Sequence, residues 1–117
     1  MIFDAQLPPK GTVRDWLNAR AERDAVAFVF PETGERLSWC DLRDRADRMA
    51  RGLVELGVKQ GESVAIVYPN GREGVCALYA TLYGGFRATM INLAAGPDAI
   101  AYALDHSGAR FAFVHEA

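Results

Sequence analysis

The residues of this sequence best suited to chemistry are two glycines and an acid that follow an apolar run. Gly71 and Gly74, with Glu73 between them, come after Val64–Tyr68 and open an apolar helical pattern. Free backbone NH groups at such a helix start can hold a phosphate. A dinucleotide fingerprint needs Gly-x-Gly-x-x-Gly, whereas the sequence reads YPNGREG and puts a negative charge where an anion would lie. We therefore interpret this helix start as structural, capped by Asn70, with Glu73 reaching back to the cap.

Cysteine and histidine offer little further chemistry. Cys40 and Cys76 fall on different predicted helices, with no second Cys or His at metal-ligand spacing, so we interpret them as reduced and mostly buried thiols. His106 lies near the end of a predicted helix, where a cation interacts well with exposed carbonyls, and no partner for a general base is identifiable. His115 belongs to the tail. We assign no catalytic, cofactor-binding or metal-binding residue.

Composition and charge limit the partners. The 117 residues carry a net charge of -2, and the basic residues are interleaved with acidic ones, which does not indicate a nucleic-acid surface. Half of the residues are hydrophobic, yet no window approaches the roughly 18 apolar residues of a membrane span. The start, MIFDAQLPPKG, lacks the pattern of a secretion signal, so a cytoplasmic location is expected.

The elements that would position these residues centre on a strand, a helix and a second strand. Val64–Tyr68 has the continuous apolar pattern of a strand buried on both faces, and Val75–Tyr83 that of an interior helix ended by Gly84 and Gly85. Thr89–Leu93 resumes a strand pattern. A crossover of this length implies parallel pairing. We predict an α/β fold with a mostly parallel sheet of βαβ units, helices on both faces and an N-terminal β-hairpin.

The flanking segments complete this fold. Residues 1–11, with Pro8 and Pro9, are predicted to be an extended arm lying over the surface, and residues 12–117 a single domain. A helix over residues 13–22 is predicted to be anchored by Trp16, and a hairpin over residues 25–37 suits the edge of a sheet. Both Trp16 and Trp39 are interpreted as core anchors. A helix opening at residues 96–98 and a third buried strand over residues 111–114 follow.

The long helix that opens at Ser38 has the clearest pattern. Its apolar side is predicted to extend to Leu56, and Gly57 is predicted to end it. Opposite charges four residues apart, Asp44 with Arg48 and Asp47 with Arg51, are predicted to pair. Gly52 lies inside the helix, which suggests close packing against a neighbour.

Three stretches together resemble the amino-terminal portion of the adenylate-forming (AMP-binding) superfamily. They are GERLSWCDL, RGLVELGVKQGESVAIVYPN and LYATLYGGFRATMINLAAGPDAIAYALDHSGARFAFV, and the resemblance extends from Thr12 to Val114. The sequence departs from the family at Gly84–Phe86, where Gly-Ala is usual, and at Ala94–Ala95, where the family has a proline.

This resemblance implies a parent enzyme that is an ATP-dependent acid:CoA ligase, using ATP, Mg and CoA on a small carboxylic acid. The phosphate-binding loop, the AMP motifs and the catalytic lysine of the family have no counterpart in the 117 residues. The resemblance thus predicts a scaffold fragment that is inactive alone, whose partner is the remainder of the enzyme and whose exposed apolar faces favour self-association. The alternative is a stand-alone α/β binding or interaction module without catalysis.

Overall fold

A computed structural model describes residues 11–23 and 25–114. Four α-helices and five strands occur in this part of the chain. They are α1 (Val13–Ala21), β1 (Val26–Phe30), β2 (Glu35–Ser38), α2 (Trp39–Glu55), β3 (Ser63–Val67), α3 (Arg72–Tyr83), β4 (Arg87–Met90), α4 (Pro97–Ser107) and β5 (Phe111–Val114), with a turn of 3-10 helix (Leu93–Ala95) before α4. The order of the larger sheet is β4-β3-β5, and both pairs are parallel. The predicted α/β class is confirmed.

Strand β3 is the centre of the fold, and all five of its residues are buried. Its side chains alternate between two cores. Val64 packs with Leu53 and Phe86 on the face covered by α2 and α3. Ala65 and Val67 instead face Ile91 and the apolar side of α4. Helices therefore cover both faces of the sheet, as the continuous apolar pattern of this strand predicts.

The two ends of α2 follow the predicted signals. The Ser38 hydroxyl accepts a hydrogen bond of 3.0 Å from the backbone NH of Asp41. At the other end Gly57 has φ +99°, which a glycine adopts without steric cost. The NH of Val58 then donates to the carbonyl of Leu53 at 3.0 Å, and both side chains are buried in one cluster. This is a Schellman ending with its hydrophobic contact.

Two predictions about the faces of α2 are wrong. Leu56 is 67% exposed and is the C-cap residue, one position beyond the last residue of the helix. An added Cβ on Gly52 would meet no atom within 4 Å, so no neighbour packs closely there.

The predicted charge pairs on α2 form in part. Arg51 donates from Nε to Asp47 at 3.0 Å, as its spacing predicts. Asp44 instead accepts from the adjacent Arg43 at 2.7 Å and does not use Arg48. The predicted pair of Asp44 with Arg48 is therefore replaced by a pair between adjacent residues.

Helix α1 begins as predicted but is anchored by a different residue. Thr12 and Asp15 form a complete capping box. Leu17 is 2% exposed and Trp16 is 40% exposed, so the prediction that Trp16 is the main anchor is wrong. The helix is tied to α3 by the Tyr83 hydroxyl, which donates to the side-chain oxygen of Asn18 at 3.0 Å.

The outer strands differ most from prediction. Strands β1 and β2 form their own antiparallel two-stranded sheet and are not the edge of the larger one. Strand β5 pairs with β3, yet its residues alternate between half-buried and exposed, and Val114 is 59% exposed. The prediction of a third strand is confirmed, but not its burial on both faces: Phe111 and Phe113 pack against the cluster around Val64, whereas Ala112 and Val114 on the other face are exposed.

Candidate functional site

The carboxyl edge of the parallel sheet is the candidate functional site. Ligands of open α/β sheets bind in the crevice outside this edge. Here β3 is followed by Tyr68–Gly71, and β4 ends at Met90. A cavity of about 380 Å³ lies at this point, between the β3–α3 turn and the hairpin. The fold thus places a cleft where this architecture commonly places its ligand.

The lining of this cleft is mostly apolar. Phe30 from the hairpin, Val75 and Leu78 from α3, and Met90 from β4 supply its carbon surface. Glu32 is exposed at its rim. A surface of this kind suits an apolar group, since apolar burial supplies most of the affinity of small-molecule pockets. The described lining brings together no nucleophile with a base, so it does not by itself carry out chemistry.

The start of α3 borders the cleft and corrects the predicted cap. The N-cap is Gly71, with φ +152°, and no side chain caps the helix. Asn70 is therefore not the cap, and Glu73 does not reach back to it. Glu73 instead accepts from Arg45 of α2 at 3.1 and 3.4 Å. The pairing with Arg45 draws Glu73 away from the helix start, a long-range contact that a local motif cannot anticipate.

Gly74 allows two backbone segments to pack closely. A Cβ at this position would lie 3.0 Å from the carbonyl oxygen of Pro69 and 3.3 Å from the Cβ of Tyr68. The first turn of α3 therefore packs directly on the turn that leaves β3. The absence of a side chain at Gly74 permits this contact, and the interpretation that neither glycine binds a ligand stays a prediction.

The other titratable residues considered in the sequence lie away from the cleft. His106 is in the last turn of α4 and stacks on Tyr102 with ring centroids 5.4 Å apart. Asp98 is in the first turn of the same helix, where a negative charge is favourable. His115 lies outside the described residues.

The two cysteines have different surroundings. Cys76 is fully buried, and this burial raises the pKa of its thiol. Cys40 is partly exposed, and its Sγ lies 3.9 Å from an oxygen of Asp44. Both thiols are free. Among residues 11–23 and 25–114, no three His, Cys, Asp or Glu side chains converge as a metal site would require.

A larger cavity of about 580 Å³ lies among α1, α2 and the end of α3, and three of its charged side chains already have partners. Arg51 is bonded to Asp47, and Arg14 donates to the backbone carbonyl of Tyr83 at 3.1 Å. Its lining contains both positive and negative side chains, so it favours neither an anionic nor a cationic ligand. We therefore keep the sheet edge as the candidate site.

A match to a family model shows which protein family the chain belongs to. The family model described as AMP-binding enzyme matches residues 15–117. The chain belongs to the AMP-binding enzyme family. The resemblance drawn from the sequence is confirmed, and the match includes every element from α2 to β5.

Relatives within the AMP-binding family include acyl-CoA ligases. The acyl-CoA ligase sidI of Aspergillus fumigatus is 34% identical over 91 residues, which cover 78% of this chain and 15% of that protein. The long-chain-fatty-acid–CoA ligase FadD13 of Mycobacterium tuberculosis is 31% identical over 84 residues, 72% of this chain and 17% of its own length. The chain thus spans about a sixth of these relatives.

Solved structures of the family share the fold. A putative long-chain-fatty-acid CoA ligase of Rhodopseudomonas palustris superposes with a TM-score of 0.80 at 30% identity, over 87% of this chain and 26% of that one. The N-terminal domain of FACL13 from Mycobacterium tuberculosis superposes with a TM-score of 0.78 at 28% identity, over 86% and 26%. No helix in the described residues is long and apolar enough to cross a membrane.

The cleft could not be predicted from the sequence because its walls come from distant segments. Phe30, Tyr68 and Met90 are separated along the chain and meet only once the hairpin folds over the sheet edge. One signal was present. The run Pro69–Asn70–Gly71 directly after a buried strand marks a carboxyl edge, and in an α/β fold that edge is the first place to look for a ligand.

Proposed function

We propose that this chain is a scaffold segment of the N-terminal domain of an ATP-dependent acid:CoA ligase. Such an enzyme activates a carboxylate as an acyl-adenylate and then forms a thioester with CoA. The observation that carries the proposal is the family match over residues 15–117, together with the superposition on the N-terminal domain of FACL13. The named relatives sidI and FadD13 are themselves acyl-CoA ligases, which supports the same reaction class.

The contribution of this segment is structural. β3 supplies a fully buried centre, and α2, α3 and α4 cover its two faces, so that the carboxyl edge of the sheet is rigidly placed. A site held on strands and helices is positioned more accurately than one on loops alone. In this proposal the cleft at Phe30, Tyr68 and Met90 forms one wall of a larger site that the remainder of the enzyme completes.

The described residues do not fit ATP or Mg as a binding set of their own. Among the described residues no three potential metal ligands converge, and the first turn of α3 carries an acidic residue, Glu73, which is paired with Arg45. In this proposal ATP, Mg and CoA are bound by other parts of the parent enzyme, and the isolated chain does not form an adenylate. The transition state of phosphoryl attack needs donors for its negative charge, and the remainder of the enzyme supplies them.

The proposed substrate is a fatty acid or another small carboxylic acid. FadD13 is named for long-chain fatty acids, and the apolar lining of the cleft at the sheet edge is compatible with an alkyl chain nearby. The same proposal places the parent enzyme in the cytoplasm.

Two measurements test this proposal. The purified chain is incubated with ATP, Mg and a panel of fatty and aromatic acids, and pyrophosphate release is followed, with a complete acyl-CoA ligase as the positive control. We expect no acid-dependent release from the chain. Acid-dependent release would show that the segment is active alone and would overturn the scaffold role.

The second measurement addresses the rival, a stand-alone binding or interaction module. The reading frame is sequenced beyond Ala117, and any longer product is assayed for acyl-CoA formation by chromatography. We expect a continuing frame whose product forms thioesters. A stop codon directly after Ala117, with no ligase segment downstream, would favour the stand-alone module.

A further inference from the structure

A groove between α2 and β5 is not used by the proposed function. It has a volume of about 560 Å³, with Met49, Gly52 and Leu56 along the helix and Phe113 on the strand. Leu56 is 67% exposed, whereas a Cβ added to Gly52, one turn earlier, would meet no atom within 4 Å. The same helix face therefore carries a protruding apolar side chain next to a gap where a side chain is missing. A face of this kind can pack against a copy of itself.

Two opposite charges lie along this face of α2. Glu55 lines the groove beside Leu56, and Arg48 lies beside Met49 in an adjoining depression. Both charged residues are exposed, and among the described residues neither takes part in an ion pair. They are about 10 Å apart along the helix axis, too far to pair within one helix, where partners lie three or four residues apart.

We infer that this face of α2 binds a second copy of the chain, with the two α2 helices antiparallel about a twofold axis near Gly52. Gly52 lies almost midway between Arg48 and Glu55, so an antiparallel copy brings Arg48 of one protomer level with the partner's Glu55. The two charges are nearly two full turns apart and project from the same side of the helix. A twofold axis perpendicular to the helices keeps that side together in both protomers, so two identical ion pairs form.

The same arrangement covers the exposed apolar surface. Because Gly52 has no side chain, the two helices can approach closely where they cross. Leu56 of one protomer then lies beside the partner's Met49, and burial of these apolar side chains favours association. Parallel helices would instead bring like charges level with each other, so the charges select the antiparallel register. This inference does not depend on the ligase proposal, because it concerns two copies of the same 117 residues.

Charge reversal tests the two ion pairs. In Arg48→Glu alone, or Glu55→Arg alone, both attractive pairs become repulsive, and we expect the dimer dissociation constant from sedimentation velocity to rise about tenfold or more. An equimolar mixture of the two variants should dimerise again. In the mixed dimer the two reversed charges attract each other and the two unchanged charges form the original pair, so this recovery also shows that both variants are folded.

The control variants are Arg36→Glu on β2 and Glu22→Arg at the end of α1. They change the net charge by the same amounts at exposed residues outside this face. Alone and mixed, they should associate like the unchanged chain. Single α2 variants that associate like the unchanged chain would overturn the inference. A mixture as monomeric as either α2 variant would reject the second copy as the occupant of this face, in favour of the remainder of the parent enzyme.

A cysteine crosslink tests the crossing point. Gly52→Cys is combined with Cys40→Ser, because Cys40 is partly exposed whereas Cys76 is buried. After mild oxidation we expect a disulfide-linked dimer. Val54→Cys in the same background is the control, since Val54 is 60% exposed but does not line the groove and lies about 200° further round the helix. Equal crosslinking of the two variants, or none at position 52, would reject the crossing at Gly52.

Discussion

Arg110 and Glu62 form a two-point ion pair across the amino edge of the sheet. The Nε of Arg110 lies 2.5 Å from Oε2 of Glu62, and its Nη2 lies 3.0 Å from Oε1. Glu62 also accepts from the backbone NH of Lys59 at 3.1 Å. The pair joins the turn before β3 to the turn before β5, so it connects the two strands where they enter the sheet.

This pair predicts a pH dependence of stability. The hydrogen bond from Arg110, followed by the one from the Lys59 backbone, lowers the pKa of Glu62 from 4.5 to about 2. Because the folded-state pKa lies below the unfolded one, the contribution is fully present above about pH 4.5 and is lost as the pH falls toward 2. In Glu62→Gln we expect a smaller loss of stability over this range than in the parent chain. Urea unfolding at several pH values measures the free energy of unfolding. An equal dependence of this free energy on pH in both chains would contradict the role given to the Glu62–Arg110 pair.

Mutation can test that Ser38 caps α2 and that Asn70 does not cap α3. Ser38→Ala removes the hydrogen bond to the NH of Asp41, and we expect a loss of about 1 kcal/mol in the free energy of unfolding. Asn70→Ala should change it by less than about 0.5 kcal/mol, because Gly71 is the N-cap of α3 and no side chain caps that helix. Chemical denaturation compares both variants. A larger loss in Asn70→Ala than in Ser38→Ala would restore the original prediction.

Replacing each of two helical glycines by alanine is expected to change the stability of the chain in opposite directions. Gly52→Ala should stabilise the chain by up to about 1 kcal/mol, since the added methyl meets nothing and alanine favours a helix. Gly74→Ala should destabilise it, because the methyl would press on the Pro69 carbonyl at 3.0 Å. Thermal unfolding of the pair provides the comparison. Destabilisation by Gly52→Ala would reveal a neighbour that packs against this helix face.

The thiols are expected to react at different rates. Cys40 is partly exposed, whereas Cys76 is buried and its pKa is raised, so less of it is the reactive thiolate at a given pH. We expect maleimide to modify Cys40 first in the folded chain and Cys76 only after unfolding. Peptide mass spectrometry identifies the labelled residue. Equal labelling of both in the folded chain would mean that the core around Cys76 opens readily.

The exposed apolar surface near β5 is expected to cause self-association of the isolated chain. Leu56 and Phe113 line one cavity of about 560 Å³, and Leu56 is 67% exposed. Such surface marks an interaction site or favours association. Sedimentation velocity should show oligomers that increase with concentration, and Leu56→Ser should reduce them. Tyr102→Ser, which removes a side chain that is 68% exposed on α4, is the control. A monomer at every concentration would refute the expectation.

The parts of the fold that could be predicted from sequence depend on local chemistry. The caps at Thr12 and Ser38, the ending at Gly57 and the buried strand β3 all follow from residues within one or two turns of each other. The errors have a common origin in distant contacts. Glu73 is held by Arg45 of another helix, and the cleft at the sheet edge needs the hairpin to fold over it. No spacing within a single element encodes either arrangement.

The sheet order β4-β3-β5 has a consequence for how the chain acquires its structure. The central strand is the earliest of the three in the chain, but one of its partners, residues 111–114, comes last. On the ribosome, β3 therefore emerges before either of its neighbours, and one of its edges stays unpaired until β5 has been translated. Helix α2 precedes β3 in the chain, and its Leu53 packs with Val64, so α2 can cover one face of the strand during that interval.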